Sequence, residues 1–183
     1  MKKLLIAFLL LGSCKKPEPV QIKTYEPHQL SGRITIDKTL SKDTIWELHN
    51  RVSVVNGATL TIEPGTVIKA APGSGSNAST LIITTGSKIM ALGTKEEPII
   101  FTSIQEAPIG ARGLWGGVII LGEAIGSFSG NVDKCQIDGI PASDSAGLYG
   151  GNNNHDNSGI FQYVSIRHGG TEIGEGNEIN GLT

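Results

Sequence analysis

The chain has 183 residues, enough for one domain with a sizeable core. Its 25 glycines stand against only 4 Phe, 3 Tyr and 2 Trp, which points to many tight turns and few large packing groups, and the absence of a G-X-Y period excludes collagen. The formal net charge is -2 and no stretch concentrates basic residues, which argues against a nucleic-acid partner.

Met1-Lys2-Lys3 is a positively charged start, and Leu4 to Leu11 is an apolar run. The run is shorter than the roughly 20 residues needed to cross a bilayer, so it reads as the core of a signal segment over residues 1–13. It ends in Leu11-Gly-Ser-Cys14, which resembles the lipobox of bacterial lipoproteins. That resemblance implies cleavage between Ser13 and Cys14 and diacylation of Cys14, with membrane lipid as the partner of the acyl chains and the outer membrane of the cell envelope as the location. Residues 14–21, with Lys15-Lys-Pro-Glu-Pro19, form an extended tether. The facing side of the membrane stays open. With Cys14 consumed by lipid, Cys135 has no intrachain partner, which excludes a disulfide scaffold. Cys135 reads as a packing residue, since no base and orienting group lie near it in sequence.

Three alternating segments come next, Gly32–Asp37, Thr44–Leu48 and Arg51–Val55, the last closed by the turn pair Asn56-Gly57. Residues 22–50 read as an N-terminal cap or an irregular first rung. Trp46 covers the end of the core in that reading; a carbohydrate-stacking role is the alternative.

Thr59-Leu-Thr-Ile-Glu-Pro-Gly-Thr-Val-Ile-Lys-Ala70 is a strand, a type II turn at Pro64-Gly65, and a second strand. Thr80-Leu-Ile-Ile-Thr-Thr-Gly-Ser-Lys-Ile-Met-Ala91 has the same form, placing Leu81 on Leu60, Gly86 on Gly65 and Ile89 on Ile68. A strand-turn-strand unit that recurs with its glycine aligned predicts a solenoid of β-rungs over residues 51–183. Ile99–Thr102 and Trp115–Gly122 are further strands, separated by a longer loop over 103–113.

From 126 to 157 the apolar content falls, as in an insertion on the outside of a solenoid, where binding surfaces arise. Its tract Asn152-Asn-Asn-His-Asp156 is a candidate cation or ligand loop, with Asn152, Asn154, His155 and Asp156 as oxygen or nitrogen donors. Ile160, Gln162, Val164 and Ile166 alternate with Phe161, Tyr163, Ser165 and Arg167, and either set could face inward.

These motifs, in this order, resemble a family of Bacteroidota lipoproteins and secreted proteins. The residues that carry the likeness are Leu60–Lys69, Pro98–Ser103, Trp115–Ala124, Ser158–Gly170 and Glu178–Thr183. The resemblance implies an all-β, right-handed parallel β-helix with an N-terminal cap. Family members run on through further rungs, so the resemblance also implies truncation at the C-terminus. It supplies no agreed activity.

Parallel β-helices do host polysaccharide lyases and glycoside hydrolases. Such chemistry needs carboxylates for calcium and a base, or paired acids about a glycosidic bond. Asp133, Asp138, Asp144 and Asp156 are the acids around the insertion and His155, Arg167 and His168 the bases, but their spacing follows neither pattern. The two histidines lack the companions of a zinc site. No cofactor, metal or catalytic residue is assigned. The expectation is a lipid-anchored envelope module, non-catalytic, structural or binding, of open ligand with a glycan or envelope protein as candidate partners; carbohydrate processing (a polysaccharide lyase or glycoside hydrolase) is the alternative, and an inert fragment of a longer adhesin-like protein a further one.

Overall fold

The computed structural model describes residues 27–128, 132–174 and 177–183. Ser13, Cys14, the signal segment, the tether and the first residues of the 22–50 segment lie outside the described residues.

The described chain is almost wholly β-strand and turn, and the pairing between its layers is parallel. In chain order the strands are β1 (His28–Ile34), β2 (Lys38–Leu40), β3 (Ile45–Val54), β4 (Thr59–Ile62), β5 (Val67–Ala70), β6 (Thr80–Ile83), β7 (Lys88–Leu92), β8 (Ile99–Ser103) and β9 (Gly117–Ile120). The short β10 (Cys135–Gln136) and β11 (Leu148–Tyr149) come next, then β12 (Gly159–Gln162), β13 (Val164–Ile166), β14 (Glu172–Gly174) and β15 (Asn177–Glu178).

The pairing resolves into three faces. On the first, β8 lies between β5 and β13, and β5 in turn pairs with the first half of β3. The second half of β3 pairs instead with β6, and β6 with β9, so the long strand serves two faces. Asn50, at φ 55, makes the bend between its halves. A third face runs β2-β4-β7-β12. Each circuit therefore crosses face one, face two and face three before climbing one layer, the path of a β-helix. Residues 28–40 complete one such circuit, because β1 pairs along both halves of β3 and β2 pairs with β4.

The core is built from ladders of inward side chains. Trp46, Ile68, Phe101 and Ile166 stack on face one, Val52, Leu81 and Val118 on face two, and Leu40, Ile62, Ala91 and Phe161 on face three. Most of these are fully buried, so each added layer removes a ring of apolar surface from water, at about 25 cal/mol per Å².

The resemblance of Thr59–Ala70 to Thr80–Ala91 is real as local structure, but the implied stacking of Leu60 on Leu81 is not what forms. Leu60 pairs with Ile89, and Leu81 with Val52. The two units are different corners of the helix, not successive copies of one corner. Pro64-Gly65 turns face three into face one, with Thr66 N donating to Glu63 O at 3.2 Å and Gly65 at φ 79. Gly86, at φ 77, turns face two into face three above Gly57, at φ 75. Both corners demand a left-handed residue, and that shared demand produced the aligned glycines.

Alternation also fails once, at Tyr163. Its φ of 49 breaks the strand, so Phe161 packs inward together with Val164 and Ile166, and Ile160 and Gln162 face out.

The insertion does not stand free. The antiparallel β10-β11 pair and a single 3₁₀ turn, Ser145–Gly147, fold back over the outer side of face two. Ile140 is buried there against Ile82, Ile119 and Leu121, forming a second apolar cluster outside the solenoid. This explains the unbroken apolar runs Leu81-Ile-Ile83 and Val118-Ile-Ile-Leu121: a strand covered on both sides has no wet face.

Candidate functional site

Two roomy clefts lie at the corner between faces one and two. After β8 the chain leaves the solenoid over residues 104–114 and returns at Trp115, which is fully buried. Trp115 stacks on Phe101 with centroids 6.4 Å apart, and its Nε1 donates to Arg167 O at 2.8 Å. One layer on, the chain leaves β13 through Arg167 and His168. The two loops run side by side, joined by Leu114 N to His168 O (2.9 Å), Gly113 N to Gly169 O (3.2 Å) and Gly170 N to Gly116 O (2.6 Å).

Between them lie two neighbouring open clefts. One, of about 580 Å³, is walled by Ala107, Ile109, Gly110, Ala111, Ile166, Arg167 and His168. The other, of about 570 Å³, is lined by Arg112, Thr171, Glu172, Ile179, Asn180 and four glycines.

His168 is held firmly. Its backbone is left-handed at φ 61, and its Nδ1 lies 2.8 Å from Ala111 O. A carbonyl can only accept, so Nδ1 carries the proton, and whenever the ring is neutral the lone pair is on Nε2. This is the arrangement of a base whose tautomer is set by its backbone partner. Arg112 and Arg167 add exposed cations to the same pair of clefts. Arg167 Nε donates to Ser165 Oγ at 3.1 Å, which aims the guanidinium along the outside of β13.

The residues singled out around the insertion have other surroundings. Asp156 Oδ2 accepts from Glu123 N at 2.9 Å and from Ser158 Oγ at 3.3 Å, and Asn154 Oδ1 accepts from Ile125 N at 3.4 Å. These bonds close the 152–156 loop onto the segment after β9, while Asn152 and His155 are exposed. Asp144 accepts from Ala146 N at 3.0 Å and lies 3.7 Å from Arg33. Asp133 and Asp138 are exposed on the insertion. Among the described residues no three His, Cys, Asp or Glu side chains gather as metal ligands. Cys135 is a half-buried free thiol opposite Tyr149. His168 and Arg167 therefore belong to a different corner from the acids they were grouped with in sequence. Arg112 was not legible: it stands in a loop with no motif, and only the return to Trp115 brings it beside residues 169–172.

A family model for the pectate-lyase-like β-helix domain matches residues 32–183. The chain belongs to that family. No curated protein and no solved structure gave a match. Membership corrects the expectation of a non-catalytic module, because the family is one of lyase-like β-helices, and it favours the carbohydrate-processing alternative.

Proposed function

We propose that this pectate-lyase-like β-helix domain processes an acidic polysaccharide at the paired clefts between residues 104–114 and 166–172. The observation that carries the reading is His168, a base of set tautomer that shares its cleft with Arg167 while Arg112 lines the neighbouring one, on a domain of this family.

The chemistry best matched to these residues is β-elimination. Nε2 of His168 takes the proton α to a sugar carboxylate, the electron pair left behind forms the new double bond, and the glycosidic oxygen at the β position departs and takes up a proton. Arg112 and Arg167 hold the carboxylate and stabilise the charge that builds on it as the proton leaves. Hydrolysis needs two acids about the bond, whereas among the described residues lining the two clefts Glu172 is the one carboxylate. A calcium site built from clustered carboxylates does not fit these residues, so neutralisation falls to the arginines.

The protein is held at the cell envelope by acyl chains on Cys14, as expected from the short apolar run that ends there. Bacteroidota lipoproteins with β-helix rungs are the relatives its motifs resemble.

The test is incubation with polygalacturonate, following the ultraviolet absorbance of unsaturated product ends alongside new reducing ends. His168→Asn tolerates the left-handed backbone and keeps a donor for Ala111 O, yet has no basic lone pair. Unsaturated ends formed by the wild type and lost in His168→Asn support elimination. No cleavage of any acidic glycan offered sinks the reading. Acyl labelling and fractionation of wild type against Cys14→Ala tests the anchor separately, and an unlabelled soluble wild type refutes it.

A further inference from the structure

Tyr163 occupies the single-residue corner between β12 and β13 at φ 49. A bulky side chain in this region is an outlier, and such strain persists only where the surroundings impose it. They do so here: Ile99 N donates to Tyr163 O at 3.0 Å and Gly93 N to Gln162 O at 2.9 Å. Gly93 is itself required, since a Cβ there would sit 2.6 Å from Tyr163 O. Glycine does the same work without strain at Gly65, which turns face three into face one on an earlier layer. Nor does the tyrosine offset its cost by burial, because it is 53% exposed. The fold thus carries an exposed aromatic ring at a position where its backbone favours glycine.

The remainder of the strand gives the ring a context. Val164 and Ile166 pack on the core, so Ser165 and Arg167 share the outer side with Tyr163. Ring, hydroxyl and guanidinium form one row, and the row ends at the cleft of His168. At about 3.3 Å per residue the distance from Tyr163 to Arg167 along β13 is roughly 13 Å.

We infer that Tyr163 is a stacking platform for a pyranose ring of an acidic oligosaccharide that lies along β13, with a carboxylate of the same chain on Arg167. The ring supplies a rigid apolar face. The guanidinium selects for negative charge. The direction of the oligosaccharide rests on the elimination proposed at the His168 cleft; the platform itself rests on the strained, exposed ring.

The experiment measures binding of polygalacturonate oligosaccharides to the full chain by calorimetry, with Tyr163→Gly, Tyr163→Phe and wild type, beside their unfolding midpoints. Tyr163→Gly is expected to raise Kd about ten-fold, the loss of one apolar ring contact, and Tyr163→Phe to stay within about two-fold. The midpoint of Tyr163→Gly should rise, since the strain is relieved, so weakened binding cannot be unfolding. Unchanged affinity in Tyr163→Gly overturns the platform, and so does a wild type that binds no acidic oligosaccharide. Turnover with KM untouched by Tyr163→Gly removes the platform and leaves the enzyme. Tyr163-dependent binding without turnover removes the enzyme and leaves the platform. A change in self-association with glycan affinity unchanged also overturns it, assigning the ring to a second copy of this chain.

Discussion

Replacing Ile119 by alanine should separate the two apolar clusters of this protein. Ile119 is fully buried on the outer side of β9, against Ile82, Leu121 and Ile140, while its neighbour Val118 points into the solenoid. Truncation removes three carbons at about 0.8 kcal/mol each, and the cavity adds to this where neighbours cannot collapse. One wall of the outer cluster is a short hairpin that can settle inward, so the loss should lie near the low end of the usual range, about 2–3 kcal/mol. It should be felt locally. Hydrogen exchange by mass spectrometry should show residues 135–149 losing protection while β5 and β6 keep theirs, and limited proteolysis should cut the insertion faster. Val118→Ala, on the same strand, should instead lower the urea midpoint of the whole solenoid with a smaller local effect on the hairpin. Equal protection loss everywhere in Ile119→Ala, or none at 135–149, would refute the docked-insertion argument.

Gly159→Ala should destabilise by about 3 kcal/mol, because φ is 122 and the new Cβ would meet Ile89 O at 1.8 Å, backbone against backbone; urea denaturation measures it. Trp115→Phe keeps an aromatic ring beside Phe101 but leaves Arg167 O without its indole donor, a loss of about 1–2 kcal/mol, with faster exchange expected at residues 166–170. Lys42 has its pKa raised by the hydrogen bond and charge of Glu97, 2.7 Å away. A raised lysine contributes below its ordinary value of 10.5 and loses that contribution as pH climbs through the raised value, so Lys42→Met should flatten the alkaline limb of the stability profile. The pair lies at the surface with both side chains about half exposed, and the difference should vanish in high salt.

The strand-turn-strand rhythm of Thr59–Ala70 and Thr80–Ala91 was legible because a corner imposes its demands locally: alternation for the strands, a left-handed glycine for the turn. The stacking partner was not, because pairing depends on how many residues each loop spends between layers. Face two climbs from Arg51 to Thr80 while face one climbs from Ile45 to Val67, and no local pattern reveals that difference. His168 and Arg167 could be named as bases from sequence, but not the cleft that they line, since β12 and β13 carry the chain around a corner away from Asp156. The tautomer of His168 depends on a carbonyl of Ala111, in a loop that sequence shows only as irregular.

Local pattern was sufficient for the class: short alternating strands, turn glycines and scarce aromatics leave a β-solenoid as the way to bury this much aliphatic surface. Why the runs in β6 and β9 lack a wet face emerged only with the hairpin packed over them. Folding alone established which corners stack, that the polar insertion closes over face two, and that Arg112, His168 and the row from Tyr163 to Arg167 meet at one flank. Short-range patterns encode what a residue needs from its immediate neighbours; a site assembled from successive layers exists only after the loops between them have set the climb.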